Sequence, residues 1–246
     1  DGFVVPISDE HMSEYVGTYA QRLEWLTGFN GSAGTAVVLT DAALEPAAAI
    51  FVDGRYTLQV RDQVDAASYA YEDVPKTSAA KWLGEHAPEG SRIGYDPWLH
   101  GKRWVEAAQK ALAERKAELV AVDSNPIDAI WADRPAPSVA AAQVHGDDLA
   151  GNPSEAKRTA VAEWLAGRKL DAAVITALDS IAWLLNIRGE DVARTPVALS
   201  FLVARADGTA DLFIAPEKVT PALREHLGNA VRLAPREGFV PALEAL

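Results

Sequence analysis

Apolar positions fall into short runs along this chain, and one ordered set of runs occurs twice. Leu23-Glu24-Trp25-Leu26-Thr27-Gly28-Phe29-Asn30-Gly31 reappears as Ile181-Ala182-Trp183-Leu184-Leu185-Asn186-Ile187-Arg188-Gly189. Each phrase follows an apolar, strand-like run that ends in a turn acid, residues 3–9 and 172–179. Each is followed by two further runs, at 35–40 and 47–53 in the first copy and at 197–205 and 209–215 in the second. A repeat of this length points to duplication of a domain, not to a solenoid of short units.

The first copy predicts alternating elements: strands at 3–7, 35–40, 47–53, 92–95 and 118–122, with 41–46 as a connection. Helical spacing covers 21–26, 55–64, 77–86 and 99–116, and Asn125-Pro126 caps a last short helix through Trp131. Residues 1–135 therefore read as one domain and 136–152 as an ordered linker, given Pro137, small residues and Gly146-Asp147-Asp148. The second domain, 153–246, opens on a helix start: Asn152 as cap, Pro153 at the first position and Glu155 at the third. That helix, to Arg168, is expected to bury Ala156, Ala160, Val161, Trp164 and Leu165. Helical segments at 216–227 and 236–246 and a strand at 230–234 follow. The fold class is α/β, two tandem domains each with a mixed sheet and flanking helices. The second domain lacks counterparts of the 92–95 strand, the 99–116 helix and the 118–122 strand, so it reads as incomplete. The opening Asp1-Gly2-Phe3, inside a strand and without an initiator Met, reads in the same way as part of a longer protein.

Composition narrows the function classes. Of 246 residues 49% are apolar and 24% charged, ordinary for a globular chain with two cores. The formal charge is −12 with no basic stretch, a surface that repels phosphate backbones, so nucleic acid is not an expected partner. No apolar run approaches the ~20 residues a membrane helix needs, and no basic-then-apolar signal segment is present, so no membrane partner is expected. Cysteine is absent, which removes thiolate nucleophiles and thiolate metal sites and fits a cytoplasmic location.

The loop Gly28-Phe29-Asn30-Gly31-Ser32-Ala33-Gly34-Thr35 fails as a serine-hydrolase elbow, because Asn30 stands where a glycine is required. It fails as a dinucleotide loop because it runs from helix into strand. Gly28, Gly31 and Gly34 are expected to permit a tight connection. In Asp53-Gly54-Arg55-Tyr56, Asp53 reads as a cap, with Arg55 or Tyr56 available to a substrate or partner from an exposed loop. The five histidines are scattered, and no metal-ligand spacing or catalytic triad appears. Asn186-Ile187-Arg188-Gly189-Glu190-Asp191-Val192 is the more polar counterpart of the first loop. Arg188 offers a fork for a carboxylate, either internal (Asp179 or Asp191) or belonging to a peptide.

Three stretches together resemble the first domain of three-domain aminopeptidase P: residues 4–15, 25–35 and 53–59. Residues 174–192 resemble that family's second domain, and Ile130-Trp131-Ala132-Asp133-Arg134-Pro135 the segment between them. The resemblance implies a creatinase/prolidase N-terminal-type fold, twice. It also implies a parent Xaa-Pro aminopeptidase, releasing the first residue of peptides with proline at position two. In that family a C-terminal domain holds two metal ions, usually manganese, whose bound hydroxide attacks the peptide carbonyl. None of its ligand motifs occurs here, so no catalytic or metal residue carries over to this sequence. The expectation is a non-catalytic portion that shapes active-site access and subunit contacts in a cytoplasmic homodimer. Asn186, Arg188 and Asp191 are the residues expected near substrate. The alternative is a free-standing binding or dimerisation module.

Overall fold

The computed structural model describes residues 1–40 and 47–246; the expected connection at 41–46 lies outside the described residues. The chain divides into two compact units, Asp1–Ala136 and Pro137–Leu246.

In chain order the first unit contains β1 (Gly2–Pro6), α1 (Arg22–Thr27), β2 (Gly34–Leu39), β3 (Ala48–Val52), α2 (Gln59–Gln63) and β4 (Tyr69–Asp73). It continues with α3 (Ala79–His86), β5 (Arg92–Tyr95), α4 (Lys102–Ala113), β6 (Glu118–Ala121) and α5 (Pro126–Ile130). Its sheet has the order β4-β3-β2-β1-β5-β6, antiparallel between β1 and β2 and between β2 and β3, and parallel elsewhere. All five residues of β3 are buried, because helices cover both faces of the sheet. Val4, Val37, Ala49 and Phe51 meet Trp82 and Leu83 of α3 and Leu112 of α4. Val5, Ala36, Ile50 and Val52 meet Leu23, Val60, Ile127 and Trp131 on the other side. Each large aliphatic or aromatic side chain so buried contributes about 1.5–3 kcal/mol.

The second unit contains β7 (Gln143–Val144), α6 (Asp147–Ala150), α7 (Ser154–Gly167), β8 (Ala172–Ile175), α8 (Leu178–Leu185) and β9 (Ile187–Arg188). β10 (Ser200–Arg205), β11 (Ala210–Ile214), α9 (Pro221–Leu227), β12 (Val231–Ala234) and α10 (Phe239–Glu244) follow. The main sheet, β12-β11-β10-β8, repeats the order and directions of β4-β3-β2-β1. It has four strands where the first unit has six, and nothing among the described residues pairs with the outer edge of β8. Leu202, Leu212 and Ile214 pack on Ile181, Leu184, Leu185, Leu223 and Leu227. Phe201, Val203 and Phe213 pack on Phe239, whose ring stacks on Phe201 at 4.3 Å.

Several sequence expectations need correction. The helix expected over 55–64 shrinks to α2, since Asp53 spends its Oδ1 on the Arg55 amide in a turn (2.9 Å) and does not cap a helix. The strand β4, on the sheet edge, was not anticipated. The helix at 99–116 begins only at Lys102, after a 3₁₀ turn, Pro97–Leu99, capped by Asp96. Of the stretch expected as a linker, residues 137–152 fall within the second unit: Ala142 is buried and β7 pairs with β9, a two-residue ladder too short to show as a periodicity. Asn152 does not cap α7; Pro153 occupies that position, and the Asn152 carbonyl accepts from Asn186 Nδ2 at 2.9 Å. The inward stripe of α7 is Lys157, Val161 and Leu165, so Trp164 stands 50% exposed instead of buried.

Candidate functional site

The two copies of the repeated phrase end in the same backbone conformation. α1 terminates at Gly28 with φ +81°, and α8 at Asn186 with φ +51°. Glycine enters the left-handed region without steric cost, and asparagine is among the few side chains that tolerate it. The glycines three residues later are both crowded. A Cβ on Gly31 would lie 2.3 Å from Phe29 Cζ, and one on Gly189 would lie 2.6 Å from the Val197 carbonyl oxygen.

After Asn186 the second copy departs from the first. Asn186 is buried and fully engaged: Oδ1 accepts from Lys157 Nζ at 2.6 Å, and Nδ2 donates to Asp147 Oδ1 at 3.1 Å and to the Asn152 carbonyl. Lys157 also donates to the Trp183 carbonyl (2.9 Å) and lies 4.7 Å from that indole's centroid. Burial, and then the neighbouring Arg188 charge, lower the Lys157 ammonium's pKa. Asp191 is buried too, with both oxygens on Lys218 Nζ at 2.6 and 2.7 Å and Oδ2 on the Leu199 amide at 2.6 Å. Arg188, between Asn186 and Asp191 in the chain, is half-buried. Its Nη1 donates to the carbonyls of Ala182 (3.2 Å) and Ile187 (2.8 Å). Among the described residues no carboxylate pairs with Arg188: Asp191 is taken by Lys218, and Asp179 accepts from the Ser180 amide.

In the first unit, Arg55 forms a bidentate pair with Asp53 (2.8 Å from Nη2), lies 3.5 Å from Glu14 and covers the Tyr56 ring. Hydrogen bonding to Arg55 holds Asp53 below the usual carboxylate range. The Tyr56 hydroxyl accepts from the Ser32 amide at 3.0 Å and lies 2.8 Å from Ser32 Oγ, which donates to Glu14. The Gly31 connection is thereby tied to the Asp53 turn. Gly34 opens β2 against Leu23, where a Cβ would come within 2.9 Å.

The model of a domain described as Creatinase/Prolidase N-terminal domain matches residues 7–132, and a second model of the same description matches 133–246. The chain belongs to the creatinase/prolidase N-terminal domain family. It is 36% identical over its full length to a protein named probable Xaa-Pro aminopeptidase P from Aspergillus clavatus, covering 37% of that protein. It is 34% identical, again over its full length, to aminopeptidase P2 of Arabidopsis thaliana, covering 34% of it. The structure of X-prolyl aminopeptidase from Caenorhabditis elegans, described as a cytosolic enzyme with a di-nuclear active site, superposes with a TM-score of 0.90 at 31% identity. That superposition takes in 99% of this chain and 40% of the nematode chain. The chain thus spans little more than a third of the length of these relatives.

Within this pair of creatinase/prolidase N-terminal domains the donor set does not fit a metal pair. Among the described residues no three His, Cys, Asp or Glu side chains converge, and no helix is long and apolar enough to cross a membrane. The sequence reading missed Lys157 and Lys218. One signal for Lys157 was present: it shares the 157, 161, 165 spacing with two apolar residues, which places a lysine on an inward stripe.

Proposed function

We propose that this chain is the non-catalytic N-terminal portion of a metal-dependent Xaa-Pro aminopeptidase. The observation that supports this most directly is full-length similarity to aminopeptidases P, of which it spans about a third. The parent releases the first residue of peptides with proline at position two, works in the cytoplasm as a homodimer, and holds two manganese ions outside these 246 residues. The two units limit access to the active site and furnish subunit contacts. Arg188 meets the substrate: its guanidinium is anchored through Nη1 on backbone carbonyls, which leaves the Nε–Nη2 edge for a peptide carboxylate.

The isolated chain tests the main claim. Titrated with manganese and assayed on Xaa-Pro peptides in a preparation free of host peptidase, it is expected to bind no stoichiometric metal and to show no turnover. Robust cleavage, or a bound ion held by its side chains, would refute the reading.

A further inference from the structure

We infer that Lys157 and Lys218 are positioning residues, two buried ammonium groups that pin Asn186 and Asp191 on either side of Arg188 and so fix where its guanidinium points. The inference rests on the reading that Arg188 meets a peptide carboxylate, and it assigns Asn186 and Asp191 to support instead of substrate contact.

The hydrogen-bond geometry carries it. Asn186 has committed both side-chain atoms, and its carbonyl accepts from the His145 amide at 2.8 Å. Asp191 has committed both oxygens, and its amide donates to the Val197 carbonyl at 3.3 Å. Both side chains are buried and every polar atom on them is already paired, so neither is presented to a ligand. The Lys218 end is anchored in turn, because the Lys218 carbonyl accepts from the Ala142 amide at 3.0 Å and its Nζ lies 3.5 Å from the Ala140 carbonyl. The strand pair β7–β9 sets Arg188 opposite Gln143 on the same segment. Both pins therefore reach the backbone that carries Arg188.

Energetics point the same way. Burying an ammonium is costly, and well-packed apolar residues of similar volume are often at least as stabilising as a buried ion pair. Two buried lysines flanking one arginine are thus poorly explained as stabilisers and well explained as devices that select one loop conformation. Lys157 also brings a second cation close to Arg188, and the Asp147 carboxylate acts on the same ammonium.

The test uses the full-length enzyme and two substrates, an Xaa-Pro-Xaa tripeptide acid and its C-terminal amide. Arg188→Ala is expected to raise KM for the acid about tenfold and to leave the amide unchanged, the scale of one lost hydrogen bond to a charged group. Lys218→Met combined with Asp191→Leu removes the first pin without stranding a buried charge. Lys157→Met combined with Asn186→Gly removes the second and keeps a residue suited to positive φ. Each folded pair variant is expected to lose the same acid-over-amide preference, and to lose nothing more when Arg188→Ala is added. If both pair variants keep the preference, or if their losses multiply with that of Arg188→Ala, the positioning role is overturned while the Arg188 site stands. An Arg188→Ala enzyme identical to wild type on both substrates removes the site and the inference together.

Discussion

At the scale of single residues, the second copy shows how a duplicated turn acquires side chains. Gly28 and Asn186 occupy equivalent positions with positive φ, but only Asn186 adds an amide, and that amide gathers Lys157, Asp147 and the Asn152 carbonyl. Gly189 is crowded by the Val197 carbonyl oxygen at 2.6 Å and by the Ala198 backbone at 2.7 Å from a would-be Cβ. Gly189→Ala is therefore expected to destabilise by about 1–3 kcal/mol, since backbone must move to admit one methyl group. Urea denaturation checks this; an unchanged midpoint would show that the loop gives way freely. The glycine was legible in the sequence because it recurs at the same offset in both phrases. The lysines were not. A charged residue reads as solvent-facing until its partners are known, and those of Lys157 lie far along the chain at Trp183 and Asn186.

At the scale of elements, the strands of both sheets except β4 were legible from apolar runs bounded by turn residues, and their ends shifted by only a few positions. Helix faces were harder to read. Val161 and Leu165 of α7 face inward as their spacing implies, but Lys157 joins them there while Trp164 stays half exposed. The joint between β10, β11 and β12 depends on a residue that the pattern did not single out. Asp211 on β11 accepts from Arg205 Nη2 and from Arg232 Nε, both at 2.7 Å. Burial opposes its charge, but these two guanidinium groups outweigh burial and hold its pKa below the ordinary 3.8. A carboxyl depressed in the folded state binds fewer protons folded than unfolded. Its contribution is thus complete above pH 3.8 and disappears as pH falls through the lower folded value. Asp211→Asn is expected to lower stability at neutral pH by about 1 kcal/mol, because Arg205 and Arg232 are partly solvated, and to flatten the fall in stability on acidification. Thermal melts of both proteins between neutral pH and pH 3 measure it; parallel curves would exclude the contribution.

At the scale of the whole molecule, duplication was the most legible property, since equivalent apolar runs recur in the same order and fold into sheets of the same topology over four strands. The site was less so: Arg188 was visible as a charged residue where the first copy has Asn30, but its freedom from Asp179 and Asp191 depended on hydrogen bonds that no spacing reveals. The outer edge of β8, unpaired among the described residues, leaves backbone groups open to another strand. On that strand Ala173 and Ile175 face the β10 ladder, so the amides and carbonyls of Ala172 and Val174 point outward beside a Val174 side chain that is 46% exposed. A short apolar border of this kind invites a neighbouring molecule to add a strand. Concentrated solutions of this polypeptide should accordingly form associates detectable by light scattering, and Val174→Lys should disperse them by setting a charge on the border. Scattering that is concentration-independent in the parent sequence would show that the border is harmless.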